Sequence, residues 1–103
     1  MFVYVTAATR DEGMMIARAL VEERLAACAN LFDGVTSVYR WEGGVQEERE
    51  VTLIAKTTAD RCDVLVSRIR ALHSYETPCI VAWPIAAGHD GFLDWIRAET
   101  RRQ

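Results

Sequence analysis

Residues 35–57, VTSVYRWEGGVQEEREVTLIAKT, read as two β-strands around a glycine pair, and the arms look too long for a chain of 103 residues. Extended backbone over 45–57 covers roughly 43 Å at about 3.3 Å per residue, whereas a compact chain of about 100 residues has a radius of gyration near 13 Å. The hairpin must therefore overhang its own core. Tyr39 and Trp41 sit two apart, on one face of the first arm, beside the tip formed by Glu42, Gly43 and Gly44. A lone subunit leaves those rings in water, so a partner subunit is expected to cover them.

The length suits one domain over 1–103, and 50% hydrophobic residues are enough for a modest core. Twelve Lys and Arg against fifteen Asp and Glu give a formal charge of -3, which speaks against a nonspecific grip on nucleic acid or anionic lipid. The basic end, Arg97 with Arg101 and Arg102, is too short to reverse that balance. No basic start with a cleavable apolar core opens the sequence and no apolar run reaches the length of a membrane span, so a soluble cytoplasmic protein is expected. Cys28, Cys62 and Cys79 are odd in number, widely spaced and without a C-x-x-C pair, so reduced thiols are expected rather than disulfides or a thiolate zinc site. The acids of 47–50, EERE, are expected to solvate a hairpin arm.

Residues 2–9, FVYVTAAT, form a β-branched and aromatic strand, followed by Thr9 and Glu12 at the spacing of a reciprocal capping box. The helix that starts there is predicted to bury Met14, Ala17, Val21, Leu25 and Cys28 and to give way near Ala27. Segments 28–32 and 35–41 are strand-like, and Asp33-Gly34 between them reads as a kink in one long strand rather than a hairpin. The turn is placed at Gly43-Gly44, after which Val51, Leu53 and Ala55 alternate with Thr52, Ile54 and Lys56. A second helix from about 58 to 73 packs through Cys62, Leu65, Ile69 and Leu72, with Asp60 in its first turn. CIVAWPIAA suits a fourth strand, at an edge or bulge because of Pro84, and a third helix carries Phe92, Trp95 and Ile96. The order is βαββαβ plus a final helix, an α+β plan of the ferredoxin-like kind with two helices on one face of an antiparallel sheet. The other face needs a cover, which trimer formation would supply.

Four segments in order, LVEERLAACAN, GVTSVYRWEGGV, EVTLIAKT and LHSYETPCIVAWPI, with a closing FLDWI, resemble the CutA family of divalent-cation-tolerance proteins. The likeness runs from Val5 to Ile96 without an insertion. It implies a ferredoxin-like protomer in a tight homotrimer, a role in tolerance of copper and other divalent metals, no established catalytic reaction and a cytoplasmic setting. It also implies kinship of architecture with the trimeric PII signalling proteins, which bind small effectors between subunits.

His73, Glu76 and Cys79 fall three apart in one short segment and offer imidazole, carboxylate and thiol, groups that copper accepts. Against ligation, Cys79 fits a small buried hydrophobe and His73 a helix C-terminal cap. Some CutA members have a Cys in the first strand and a second His beside the one matching His73; here those positions are Val5 and Leu72. Cys28 matches a recurrent family cysteine, and its alanine neighbours favour a structural thiol over a reactive one. Trp41, Lys56, Tyr75 and Glu76 make a second constellation, able to orient a small anion in an inter-subunit cleft, with Lys56 directly before the second helix. The structural alternative is a Lys56–Glu76 pair joining subunits. No obligatory cofactor is indicated; copper or another divalent cation is the candidate ligand, and an unidentified protein partner is a third possibility. Acylphosphatase chemistry on this plan needs a phosphate-cradling loop after the first strand, but Arg10 is followed by Asp11 and Glu12, and the sole Asn30 lies in a strand. An RNA-recognition domain needs exposed aromatics in a basic central strand, and EVTLIAKT has neither.

Overall fold

The computed structural model describes residues 1–101, so Arg102 of the basic end lies outside the described residues. Four strands, β1 (Phe2–Ala7), β2 (Cys28–Trp41), β3 (Gly44–Lys56) and β4 (Ile80–Trp83), form one antiparallel sheet in the order β2-β3-β1-β4. Helices α1 (Arg10–Glu22) and α2 (Cys62–Leu72) connect them in the ferredoxin-like manner, and α3 (Asp90–Glu99) follows β4. Val3 and Val5 of β1 and Leu53 and Ala55 of β3 meet Ile16, Ala17, Leu20, Leu65 and Ile69 in one core on the helix side.

The β2–β3 hairpin gives the molecule its length. The principal extents are 44 × 26 × 21 Å. β2 runs unbroken through Asp33-Gly34, and the register slips between Phe32 and Val35 while Gly34 takes φ 74°, so the kink is a bulge that glycine accommodates. The turn lies one residue earlier than the glycine pair suggests. Glu42 (φ 49°) and Gly43 (φ 81°) are its two central residues and Gly44 already pairs with Trp41, because a two-residue turn matched to strand twist needs positive φ at both positions.

The first helix departs from its predicted face. Gly13, Ile16, Ala17 and Leu20 are buried, while Val21 is 40% exposed. A Cβ on Gly13 would lie 3.1 Å from Val51 Cγ2 and 3.2 Å from Leu31 Cδ2, so the missing side chain lets α1 press closer to the sheet and turns its apolar stripe by one position. The helix also stops at Glu22, before Ala27, since Arg24 enters the left-handed region at φ 59°. Leu25 is buried after the helix and Cys28 opens β2. At the other end Thr9 caps α1 by accepting the Glu12 N–H, but the Glu12 carboxylate returns to Ala8 N–H rather than to Thr9. The second helix begins as a 3-10 turn (Ala59–Arg61), and α2 buries Leu65 and Ile69 as expected. β4 ends at Trp83, directly before Pro84, on the edge of the sheet.

The sheet face away from α1 and α2 is open. Phe2, Tyr4 and Thr6 of β1 lie there beside Val81 and Trp83, which pair with Tyr4 and Phe2. Phe32, Trp41, Val81 and Trp83 remain between 43% and 52% exposed on this face.

Candidate functional site: an acidic aromatic trough

Strand parity builds the site. Ser37 pairs with Glu48 and Val35 with Glu50, so Ser37, Tyr39 and Trp41 of β2 share the open face with Glu48 and Glu50 of β3. Tyr4 and Thr6 of β1 extend that face, and residues 75–79 between α2 and β4 fold over it. The result is a trough of about 660 Å³ lined by aromatic rings, by Glu48, Glu50 and Glu76, and by Cys79. Among the described residues, no Lys, Arg or His lines it.

Glu50 is only 8% exposed. The Tyr75 hydroxyl donates to its Oε2 at 2.8 Å, and among the described residues no ion pair reaches it. Burial, the Glu50 hydrogen bond and the surrounding carboxylates push the Tyr75 hydroxyl well above its ordinary pKa, so it stays a donor. Burial and the Glu50 charge likewise raise the Cys79 thiol, which favours the protonated form. Desolvation and Glu48 raise Tyr39. Thus EERE does more than solvate an arm: its last acid, Glu50, is buried and accepts the Tyr75 hydroxyl from the 75–79 segment.

His73 holds this segment. Its side chain is fully buried; Nε2 lies 2.7 Å from the Thr6 carbonyl, and Nδ1 accepts the Tyr75 N–H at 3.0 Å. A carbonyl only accepts, so Nε2 is the donor to Thr6 and Nδ1 the acceptor from Tyr75 in this arrangement. Both nitrogens are then engaged and neither offers a free lone pair to copper. His73 does occupy the C-cap of α2, yet its ring bonds to β1 rather than to the last helical carbonyls. Glu12 completes the support: its Oε2 accepts Ser74 N–H at 2.7 Å and lies 4.0 Å from Nδ1 of His73. Burial works to raise the Glu12 pKa, but the Ser74 and Ala8 hydrogen bonds and His73 outweigh it, and the net shift is downward.

The sequence candidates therefore separate. Trp41, Tyr75, Glu76 and Cys79 meet in the trough. Cys79 is exposed in the protomer rather than a buried hydrophobe. Lys56 is elsewhere: it is 7% exposed, pairs across the sheet with Phe2, donates to Asn30 Oδ1 and lies over the Phe2 ring at 5.7 Å. Cys28 sits opposite Lys56, whereas Cys79 adjoins Ile80, which pairs with Val5, so the two thiols lie toward opposite ends of β1. Among the described residues no group of three or more His, Cys, Asp or Glu is gathered closely enough to hold a metal ion. Arg10 is spent on Asp33 at 2.7 Å, which removes the anion-cradle reading of the first loop. Among the site residues that sequence reasoning missed are Tyr4, Thr6, Ser37, Glu48 and Glu50; the parity of β3 with Tyr39 and Trp41 carried the signal for Glu48 and Glu50.

A sequence profile described as "CutA1 divalent ion tolerance protein" matches residues 1–99. The chain belongs to the CutA1 family. The divalent-cation tolerance protein CutA of Thermus thermophilus is 49% identical over 98 residues, covering 95% of each chain. A solved structure described as that organism's divalent cation tolerance protein superposes with a TM-score of 0.94 at 48% identity, covering 98% of this chain and 100% of the other. The Archaeoglobus fulgidus structure, described as a periplasmic divalent cation tolerance protein CutA, gives a TM-score of 0.94 at 40% identity, with 97% of each chain covered. The chain also spans 54% of the length of the chloroplastic CutA of Arabidopsis thaliana, at 42% identity over 96% of its own residues. CutA1 likeness thus covers the whole sheet and all three helices. No helix among the described residues is long and apolar enough to cross a membrane.

Proposed function

We propose that this CutA1 protein serves divalent-cation tolerance as a homotrimer built on its open sheet face, binding copper or another divalent ion through groups from more than one subunit and catalysing no reaction. The observation that carries this reading is the open face, where Phe32, Trp41, Val81 and Trp83 stand half exposed on a sheet whose other side is covered by α1 and α2 over Val3, Val5, Leu53 and Ala55. Apolar area of that kind is stabilised when a second copy covers it. The described residues of one protomer gather no ligand set, so Glu76 and Cys79 at the trough need completion from a neighbour. A cytoplasmic setting suits the three unpaired thiols. The PII-like anion-sensor alternative loses its support here, because Lys56 lies outside a trough whose charged lining is wholly acidic.

Native mass spectrometry with Cu(II), Cu(I) and Zn(II) tests the proposal. Trimers that take up metal in multiples of three, at least tenfold less readily in Cys79→Ser or Glu76→Gln, are expected. His73→Gln should leave uptake unchanged. Monomers, or trimers that remain metal-free, would contradict it.

A further inference from the structure

We infer that Lys56 of one subunit pairs with Glu50 of the next, a buried ion pair between copies that fixes how they join. The inference rests on the homotrimer proposed above and deepens it, because it names the side chains through which one copy recognises another.

Glu50 and Lys56 are charged side chains that the protomer buries without a counter-charge. Glu50 is 8% exposed, and its Oε2 accepts the neutral Tyr75 hydroxyl. Lys56 is 7% exposed; its ammonium donates to the neutral Asn30 side-chain carbonyl and lies over the Phe2 ring. Among the described residues neither forms an ion pair. Taking a charge out of water without an opposite charge beside it is unfavourable, and a well-seated counter-charge offsets much of that cost.

Both residues belong to the face that a neighbouring copy covers. Glu50 shares the trough with Trp41, and Lys56 has the same parity along β3 and pairs with Phe2. Six residues of one strand separate them, roughly 20 Å at about 3.3 Å per residue, so a subunit cannot join them by itself. An acid at one end of a face and a base at the other suit a closed ring, since in a threefold assembly the patch each copy offers differs from the patch it receives. Trp41, 47% exposed, and Trp83, 43% exposed against the Phe2 ring at 5.9 Å, supply apolar area near each charge that excludes water once copies meet.

Other partners fit less well. Glu48 and Glu76 line the same trough but are exposed, and an exposed carboxylate gains little from a partner. Arg10, Arg18, Arg24, Arg68 and Arg97 already hold carboxylates of their own subunit. Arg40 and Arg49 belong to the same arm, but strand parity puts them on its other face. A small anion at Lys56 leaves Glu50 uncompensated, whereas one contact between copies satisfies both.

A double-variant cycle on the intact protein tests the pair. Sedimentation velocity at a fixed urea concentration gives the chain concentration at which half of the assembly dissociates, and circular dichroism reports whether the chains are folded. Glu50→Gln and Lys56→Met are each expected to raise that concentration at least tenfold. The double variant should raise it at least tenfold less than the product of the two single effects, because no orphaned charge is left. Positions so far apart in one chain otherwise act independently, so the shortfall reports contact between copies. Glu50→Gln chains mixed with Lys56→Met chains should form mixed trimers in excess of statistical exchange, since each such trimer regains a native junction. Multiplicative effects, single variants that leave the midpoint unmoved, or statistical mixing overturn the inference. If a single variant does not fold, the double variant decides: a folded, assembled double supports the pair, and one that also fails overturns it. A wild-type monomer removes the trimer reading and the pair together, whereas a wild-type trimer with multiplicative variants rejects the pair alone.

Discussion

The two faces of one sheet have opposite fates. On the helix side Val3, Val5, Leu53 and Ala55 are at most 1% exposed, closed over by α1 and α2. On the other side, strands of the same sheet leave Val81 52% and Trp83 43% exposed and carry a buried carboxylate above them. The first face accounts for why a protomer folds. The second is shaped for something the protomer lacks, which is where function is to be sought.

Substitutions on the two faces should differ in kind as well as size. Leu53→Ala removes a fully packed side chain and should cost about 2–5 kcal/mol in urea unfolding, with the assembly mass unchanged. Trp83→Ala, by contrast, should shift the concentration at which the assembly dissociates. A loss for Leu53→Ala no larger than for Trp83→Ala measured at saturating protein concentration would erase the distinction between the faces.

Gly13→Val tests how tightly the covered face is closed. Its branched side chain has to displace Val51 and Leu31, and a loss of about 1–3 kcal/mol is expected; a neutral result would mean that α1 has room to move away from the sheet.

On the open face, Tyr75→Phe leaves Glu50 without its hydroxyl donor and should cost about 1–2 kcal/mol near neutral pH. Because the folded pKa of Tyr75 is raised, its contribution is intact below pH 10 and declines as pH rises past that value, where the unfolded chain loses its proton first. Wild-type stability should therefore fall on the alkaline side, and Tyr75→Phe should flatten that fall. Glu12 has the opposite sign. Its lowered pKa gives stability that is present above about pH 4.5 and lost as pH falls through the folded value. Glu12→Gln should flatten the acid limb, with a smaller loss of about 1 kcal/mol at pH 7. An unaltered acid limb in that variant would remove Glu12 from the support of the 73–79 segment.

Patterns of two and of four residues made most of the plan legible in the sequence. Alternation along 51–56 and the glycine-marked kink and tip placed β2 and β3, and the spacing of Leu65 and Ile69 placed the buried side of α2. What escaped depended on approach between distant segments. Nothing in the residue types of α1 announces that Gly13 lets the helix press against Val51 and Leu31, or that Arg24 will take a left-handed conformation. Lys56 was legible as a strand end but not as a partner of Asn30 across the sheet. Within the site, Trp41, Tyr75 and Glu76 could be assembled from motif position. Glu50 was hidden inside a run of acids, although its parity with Tyr39 set it on the same face.

The central claim is that the open sheet face is an assembly face. Sedimentation velocity of the purified protein across a hundredfold dilution, beside Val81→Asp/Trp83→Asp, addresses it most directly. The wild type should sediment as three chains at every concentration, and the double variant as smaller species or unfolded chain. A wild-type chain that sediments as a well-folded monomer would contradict the account.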